Sequence, residues 1–139
     1  MAPRYLLDTD ICIYIRDRRP PKVLERFRAL ARGDAGISVI TYGELTYGVM
    51  KSAQASLAKA AHEAIMQTLS ILALPPAAGR KYGEIRAVLA AAGEIIGGND
   101  LWIAAHALAE NLILVTNNER EFKRIKGLKI ENWARSSTP

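Results

Sequence analysis

The chain has 139 residues, half of them apolar, which suits one ordinary domain with a real hydrophobic core. Asp8 and Asp10 interrupt the first apolar run, no stretch of 18 apolar residues follows, and nothing reads as an export signal, so a soluble cytoplasmic protein with no membrane contact is expected. The single cysteine, Cys12, excludes an internal disulfide, while a net charge of +5 leaves open either a solvated surface or a polyanionic partner such as RNA or DNA.

Tyr5-Leu6-Leu7 reads as a short buried strand ending at Asp8, after which Thr9 or Asp10 can cap a helix through Ile11–Ile15. Pro20-Pro21 breaks that helix, and Pro21 suits the first turn of the next. Val23, Leu24, Phe27, Leu30 and Ala31 recur at helical spacing, which predicts an amphipathic helix over Lys22–Arg32. Gly36–Ile40 reads as a second strand, with a helix from Thr41 to about Lys51. The Ala-rich segment Ala55–Ile71 is helical in pattern, and Ile71–Leu74 can be its end or a short strand. Ala77–Ala92 is a helix closed by Gly93, and Gly97-Gly98 introduces another. Leu112–Val115 is a strong buried strand, followed by a short helix over Glu119–Lys123 and a last strand at Lys129–Glu131. This alternation implies an α/β domain with a mostly parallel sheet, whose ligands bind beyond the carboxyl ends of the strands.

Acidic residues stand at the element junctions: Asp8 after the first strand, Glu44 after the second, Asp100 at a helix start. Thr116, Asn118 and Glu121 add polar groups after the Leu112–Val115 strand. Each has a bland reading. Asp8 can be a turn or cap, and Asp10 a cap. Thr41-Tyr42-Gly43-Glu44 fits a capping box, and Asp100 suits the positive end of a helix dipole. Asn117 and Asn118 can simply turn the chain. His62 and His106 lack ligand-like spacing and read as structural; Trp102, Tyr42 and Tyr47 read as core or interface. Gathered in one place, however, the carboxylates would raise each other's pKa, a conflict that a hard dication such as Mg²⁺ removes.

Taken together, "YLLDTDICIYI", "ISVITYGELTYGV" and "GGNDLWIAAHALAENLILVTNNEREFKRIKGLKIENW" resemble the PIN-domain ribonucleases of the VapC toxin type, nearly end to end from Tyr5 to Trp133. The resemblance implies a single α/β/α PIN domain over residues 1–134, followed by a polar tail at 135–139. It also implies an endoribonuclease centre dependent on Mg²⁺, with Mn²⁺ as a substitute. By the family pattern, Asp8 and Asp100 are expected as metal ligands. Glu44 is expected to bind through water or to orient the nucleophile, with Glu121 and Asn118 in support. Many family members carry Asp where this chain has Asn118, and often Asn where it has Asp10, so Asp10 adds charge without being required. The family further implies a structured RNA substrate such as tRNA, a small antitoxin of the VapB type that blocks the acidic site, and a homodimer or larger toxin–antitoxin assembly. Tyr42, Leu45, Tyr47, Val49 and Met50 are candidates for either protein contact.

Two other readings compete. "LLDTDIC" also resembles the nucleophile loop of haloacid dehalogenase-like phosphatases, with Asp8 attacking phosphorus and Asp10 as acid and base. Cys12 stands where that loop has Thr or Val, and no G-D-x-x-x-D follows. A non-catalytic basic RNA- or DNA-binding module, its acids serving only as caps, is the other.

Overall fold

Tyr5, Leu6 and Leu7 are all buried, as a strand covered on both faces requires. The computed structural model describes residues 3–135, so of the expected tail only Arg135 falls within the described residues. The elements run β1 (Tyr5–Leu7), α1 (Thr9–Asp17), α2 (Pro21–Arg28), β2 (Ala35–Ser38), α3 (Val39–Met50), α4 (Ala55–Met66), β3 (Ser70–Leu72), α5 (Pro76–Ala92), α6 (Gly98–Ala109), β4 (Ile113–Val115), α7 (Glu119–Phe122) and β5 (Ile130–Glu131). The five strands form one sheet in the order β3-β2-β1-β4-β5, and every neighbouring pair is parallel.

Side chains alternate across a strand, so β1 feeds two cores. Leu6 joins Leu114, Ile85, Leu89, Leu101 and Phe122 on the face covered by α5, α6 and α7. Tyr5 and Leu7 join Ile37, Val115, Ile11, Val23, Leu45 and Trp133 on the face covered by α1 to α4. The result is the α/β/α sandwich expected from the sequence. Gly36 in β2 lets β3 approach closely: an added Cβ there would lie 3.1 Å from the Ser70 carbonyl oxygen and 3.2 Å from Leu72 Cδ1.

Several local expectations shift. β2 ends at Ser38 rather than Ile40, because the Ser38 hydroxyl accepts the Ile40 N–H at 3.1 Å and starts α3 earlier. Glu44 therefore lies inside α3, and Thr41 is not its cap, so the capping box does not form. Asp8, rather than Thr9 or Asp10, caps α1 by accepting the Thr9 N–H at 2.8 Å. α2 stops at Arg28, short of the predicted Arg32, and α4 stops at Met66, leaving Ser70–Leu72 as a strand. Gly93 closes α5 at φ 69°, as its sequence position suggests. Cys12 is buried, and burial raises its thiol pKa, which matches a packing role.

The strand order reverses direction between β1 and β4: the chain builds outward to β3 on one side and to β5 on the other. In open parallel sheets that switch point creates a crevice beyond the carboxyl ends of the two central strands. The β1–β4 register pairs Leu7 with Val115, so the residues that follow, Asp8 and Thr116, emerge side by side at this crevice.

Candidate active site

Asp8 is 5% exposed, an uncommon position for a carboxylate, and it is held on both oxygens. Oδ1 accepts the Thr9 N–H at 2.8 Å, and Oδ2 accepts the Thr116 hydroxyl at 2.7 Å. Thr116 is itself fully buried, and its Oγ1 accepts the Asn118 N–H at 2.9 Å. The Asn118 amide then donates to Glu121 Oε2 at 2.9 Å. A chain of contacts thus runs from Asp8 through the β4–α7 turn to Glu121.

Glu44 arrives from α3. Its Oε1 accepts the Thr9 hydroxyl at 2.5 Å, and that hydroxyl lies 3.3 Å from the Thr41 hydroxyl. Its Oε2 accepts the Asn99 amide N–H at 3.4 Å, which ties α3 to the first turn of α6. Asp100 is the next residue of that turn and faces the Glu121 carboxyl, which raises its proton affinity. The residue types expected from the sequence, Asp8, Glu44, Asp100, Asn118 and Glu121, therefore meet in one place although five different elements and turns supply them.

The electrostatics record the crowding. Burial raises the Asp8 pKa, the bonds from Thr116 and Thr9 lower it, and the charges of Glu44 and Glu121 push it up again. Burial first, then the bond to Glu121, then the charges of Asp8, Glu121 and Glu44 lift Asp100 to about 7. Asp10 also reaches about 7, through burial and the charge of Asp8, against the Asn117 N–H that it accepts at 3.1 Å. Its other oxygen, Oδ1, is buried without a hydrogen-bond partner.

These donors suit a hard divalent cation. They are all oxygens, their mutual repulsion is what a dication relieves, and Asp8 has its orientation set from behind. Among the described residues no three His, Cys, Asp or Glu side chains stand close enough to enclose an ion as they are. Mg²⁺ does not require such an enclosure, because it is bound through one or two carboxylates and keeps several waters.

The sequence suggests Thr9 only as a cap, and its place between two acids in "DTD" is the one local signal of the part its hydroxyl plays at Glu44. His106 is structural as expected, its side chain fully buried and bonded to Ser38. Some of the basic side chains are engaged within the fold. Arg26 pairs with Glu131 at 3.0 Å and lies over the Trp133 ring, and Arg124 donates to the carbonyls of Glu94 and Ile95.

Carboxylates gathered at the switch point of a parallel sheet suit cation-assisted chemistry on phosphate esters. The model of the PIN domain family matches residues 5–128. Over 130 residues the chain is 45% identical to the ribonuclease VapC2 of Haemophilus influenzae, covering 94% of this chain and 98% of that protein. It is 41% identical over 131 residues to the tRNA(fMet)-specific endonuclease VapC of Shigella flexneri, covering 94% and 98%. The DNA-bound VapBC structure from Salmonella typhimurium superposes with a TM-score of 0.88 at 40% identity, covering 96% of this chain and 99% of that one. The chain belongs to the PIN-domain family, among the VapC ribonucleases. PIN-domain ribonucleases are in general dependent on a divalent metal. This membership disposes of the dehalogenase-like reading.

Proposed function

We propose that this protein is a divalent-metal-dependent endoribonuclease, the toxin of a toxin–antitoxin pair, acting in the cytoplasm on structured RNA of the tRNA class. The observation that carries the reading is the convergence of Asp8, Glu44, Asp100 and Glu121 at the β1–β4 switch point, where they raise the proton affinity of Asp8 and Asp100. The tRNA substrate is supported by the relative from Shigella flexneri named as tRNA(fMet)-specific.

Asp8 and Asp100 would hold Mg²⁺, with Mn²⁺ as a substitute. When bound, the dication stabilises charge on a phosphoryl oxygen and acidifies water. Thr116 and the Thr9 N–H orient Asp8 and favour its anion. Glu44, fixed by the Thr9 hydroxyl, orients the attacking water. Glu121, aligned by Asn118, adds negative charge beside Asp100. Asp10 sits behind Asp8 and secures the β4–α7 turn through Asn117.

The antitoxin is the proposed protein partner, supported by relatives solved as VapBC. Of the contact candidates, Leu45 is buried in the core and is withdrawn. Tyr47 and Met50 are exposed, and Tyr42, Val49 and Met50 line a groove of about 660 Å³ between α3 and α4 that is suited to an apolar antitoxin segment.

The test is cleavage of a purified tRNA pool. Cleavage should stop in excess chelator, return with Mg²⁺ or Mn²⁺, and be blocked by a cognate antitoxin of the VapB type. Undiminished cleavage in chelator would overturn the metal reading.

A further inference from the structure

His106 is a buried titratable group that the proposed reaction leaves unused. It lies on α6, fully buried, with Nδ1 2.9 Å from Ser38 Oγ. Ser38 is also fully buried, ends β2 and caps α3. A single contact therefore joins the start of the helix that carries Glu44 to the body of the helix that carries Asp100. A second contact between the same helices lies at the site itself, from Asn99 to Glu44 at 3.4 Å.

The two contacts match in spacing. Six residues separate Ser38 from Glu44 and seven separate Asn99 from His106, about 9 and about 10 Å of helix rise. The helices are thus tied at two points running in opposite senses. The tie at the site is long and exposed, so the buried one sets how far α3 sits along α6. The ring suits this duty only when neutral. Ser38 Oγ already accepts the Ile40 N–H, and Nε2 is buried without a partner, so an imidazolium would leave its Nε2–H buried and unsatisfied. Burial accordingly lowers the His106 pKa, against the charge of Glu110.

We infer that His106 is a positioning residue of the catalytic centre: through Ser38 it fixes the spacing between Glu44 and Asp100, and so the seat of the cation that Asp8 and Asp100 would hold beside Glu44. This rests on the metal-dependent reading proposed above.

The experiment measures Mn²⁺ binding by calorimetry, and kcat and KM on one tRNA, well below each variant's Tm. His106→Leu keeps the bulk and removes the polar atom. It should weaken Mn²⁺ binding and lower kcat by about 10- to 100-fold, the range for outer partners of metal ligands, with KM little changed. His106→Asn returns a polar atom at the Nδ1 position and should recover most of both; His106→Gln, which places its polar atom at the Nε2 position, should not. If His106→Leu does not fold, the comparison of Asn with Gln decides alone. His106→Leu binding and cleaving within twofold of the parent, or Asn and Gln behaving alike, overturns the inference. Asp100→Asn is run alongside as a control: if that protein keeps its metal and its activity, it is the metal-site reading that fails.

Discussion

The Thr116 hydroxyl donates to Asp8 Oδ2 at 2.7 Å, joining residues 108 positions apart in the chain. The contact follows from strand register, since Leu7 pairs with Val115 and the next residue of each strand turns into the crevice. Thr116→Val keeps the shape and removes the hydroxyl. It should weaken Mn²⁺ binding about 10- to 100-fold, while Thr116→Ser keeps most of the affinity. Calorimetric titration of the two proteins checks this, and equal affinities would reduce Thr116 to a packing residue.

Asp8→Asn and Asp100→Asn preserve volume and remove ligand charge. Each should lower cleavage at least ~10²-fold, the scale of losing one key electrostatic contact to a transition state. In the metal-free state both should melt no lower than the parent, because repulsion among the acids is relieved. Paired melts and cleavage assays decide it, and an active Asp100→Asn protein would return Asp100 to a role at the helix start.

The raised carboxyls give the metal-free protein an unusual pH response. Asp100 titrates at about 7 when folded, well above its ordinary value, so the native state holds this proton more tightly than the unfolded chain. The resulting stability is complete in acid and is lost as pH rises through about 7. Between about pH 5 and about pH 8 the metal-free Tm should therefore fall more steeply for the parent than for Asp100→Asn. Saturating Mg²⁺ should remove most of the difference at the upper end. Parallel slopes for the two proteins would contradict the crowding described for Asp100.

Glu44→Gln separates structure from chemistry. Gln can still accept the Thr9 hydroxyl, so stability should stay within about 0.5 kcal/mol. Gln is uncharged and a poor partner for a hard cation, so cleavage should fall at least ~10²-fold. Denaturant melts beside cleavage under saturating Mg²⁺ measure both, and a fully active Glu44→Gln protein would remove Glu44 from the site.

The basic surface divides by its partners. Arg28 and Arg32 make no ion pair among the described residues, whereas Arg26 is engaged by Glu131. If the first two meet phosphates, the Arg28→Glu, Arg32→Glu double variant should weaken tRNA binding and flatten its salt dependence by up to about two charges. Arg26→Glu should instead act on stability, by no more than about 1 kcal/mol through its exposed pair with Glu131, to which any loss of packing on Trp133 adds. Binding measured across a salt series tests the division, and unchanged slopes would leave Arg28 and Arg32 as solubilising charges.

The order of elements was legible in the sequence because each depends on local periodicity: Tyr5–Leu7 and Ile113–Val115 are apolar runs, and Gly93 ends α5 where its sequence position says it should. The acids could also be picked out by their junction positions and their family pattern. Local reasoning failed where two local solutions competed, as when Ser38 outbid Thr41 for the start of α3 and the Glu44 capping box never formed. Other features belong to the tertiary structure alone. Only the strand order β3-β2-β1-β4-β5 sets Asp8 beside Thr116, only the crossing of α3 and α6 gives Glu44 a partner in Asn99 and Ser38 one in His106, and only the return of the chain at β5 takes Arg26 out of the free basic surface. Periodicity is a property of neighbours a few residues apart. These contacts join residues 55 to 108 positions apart, and they exist because a parallel sheet buried on both faces fixes, by its strand order and the helices that cover it, which strand ends and helices meet.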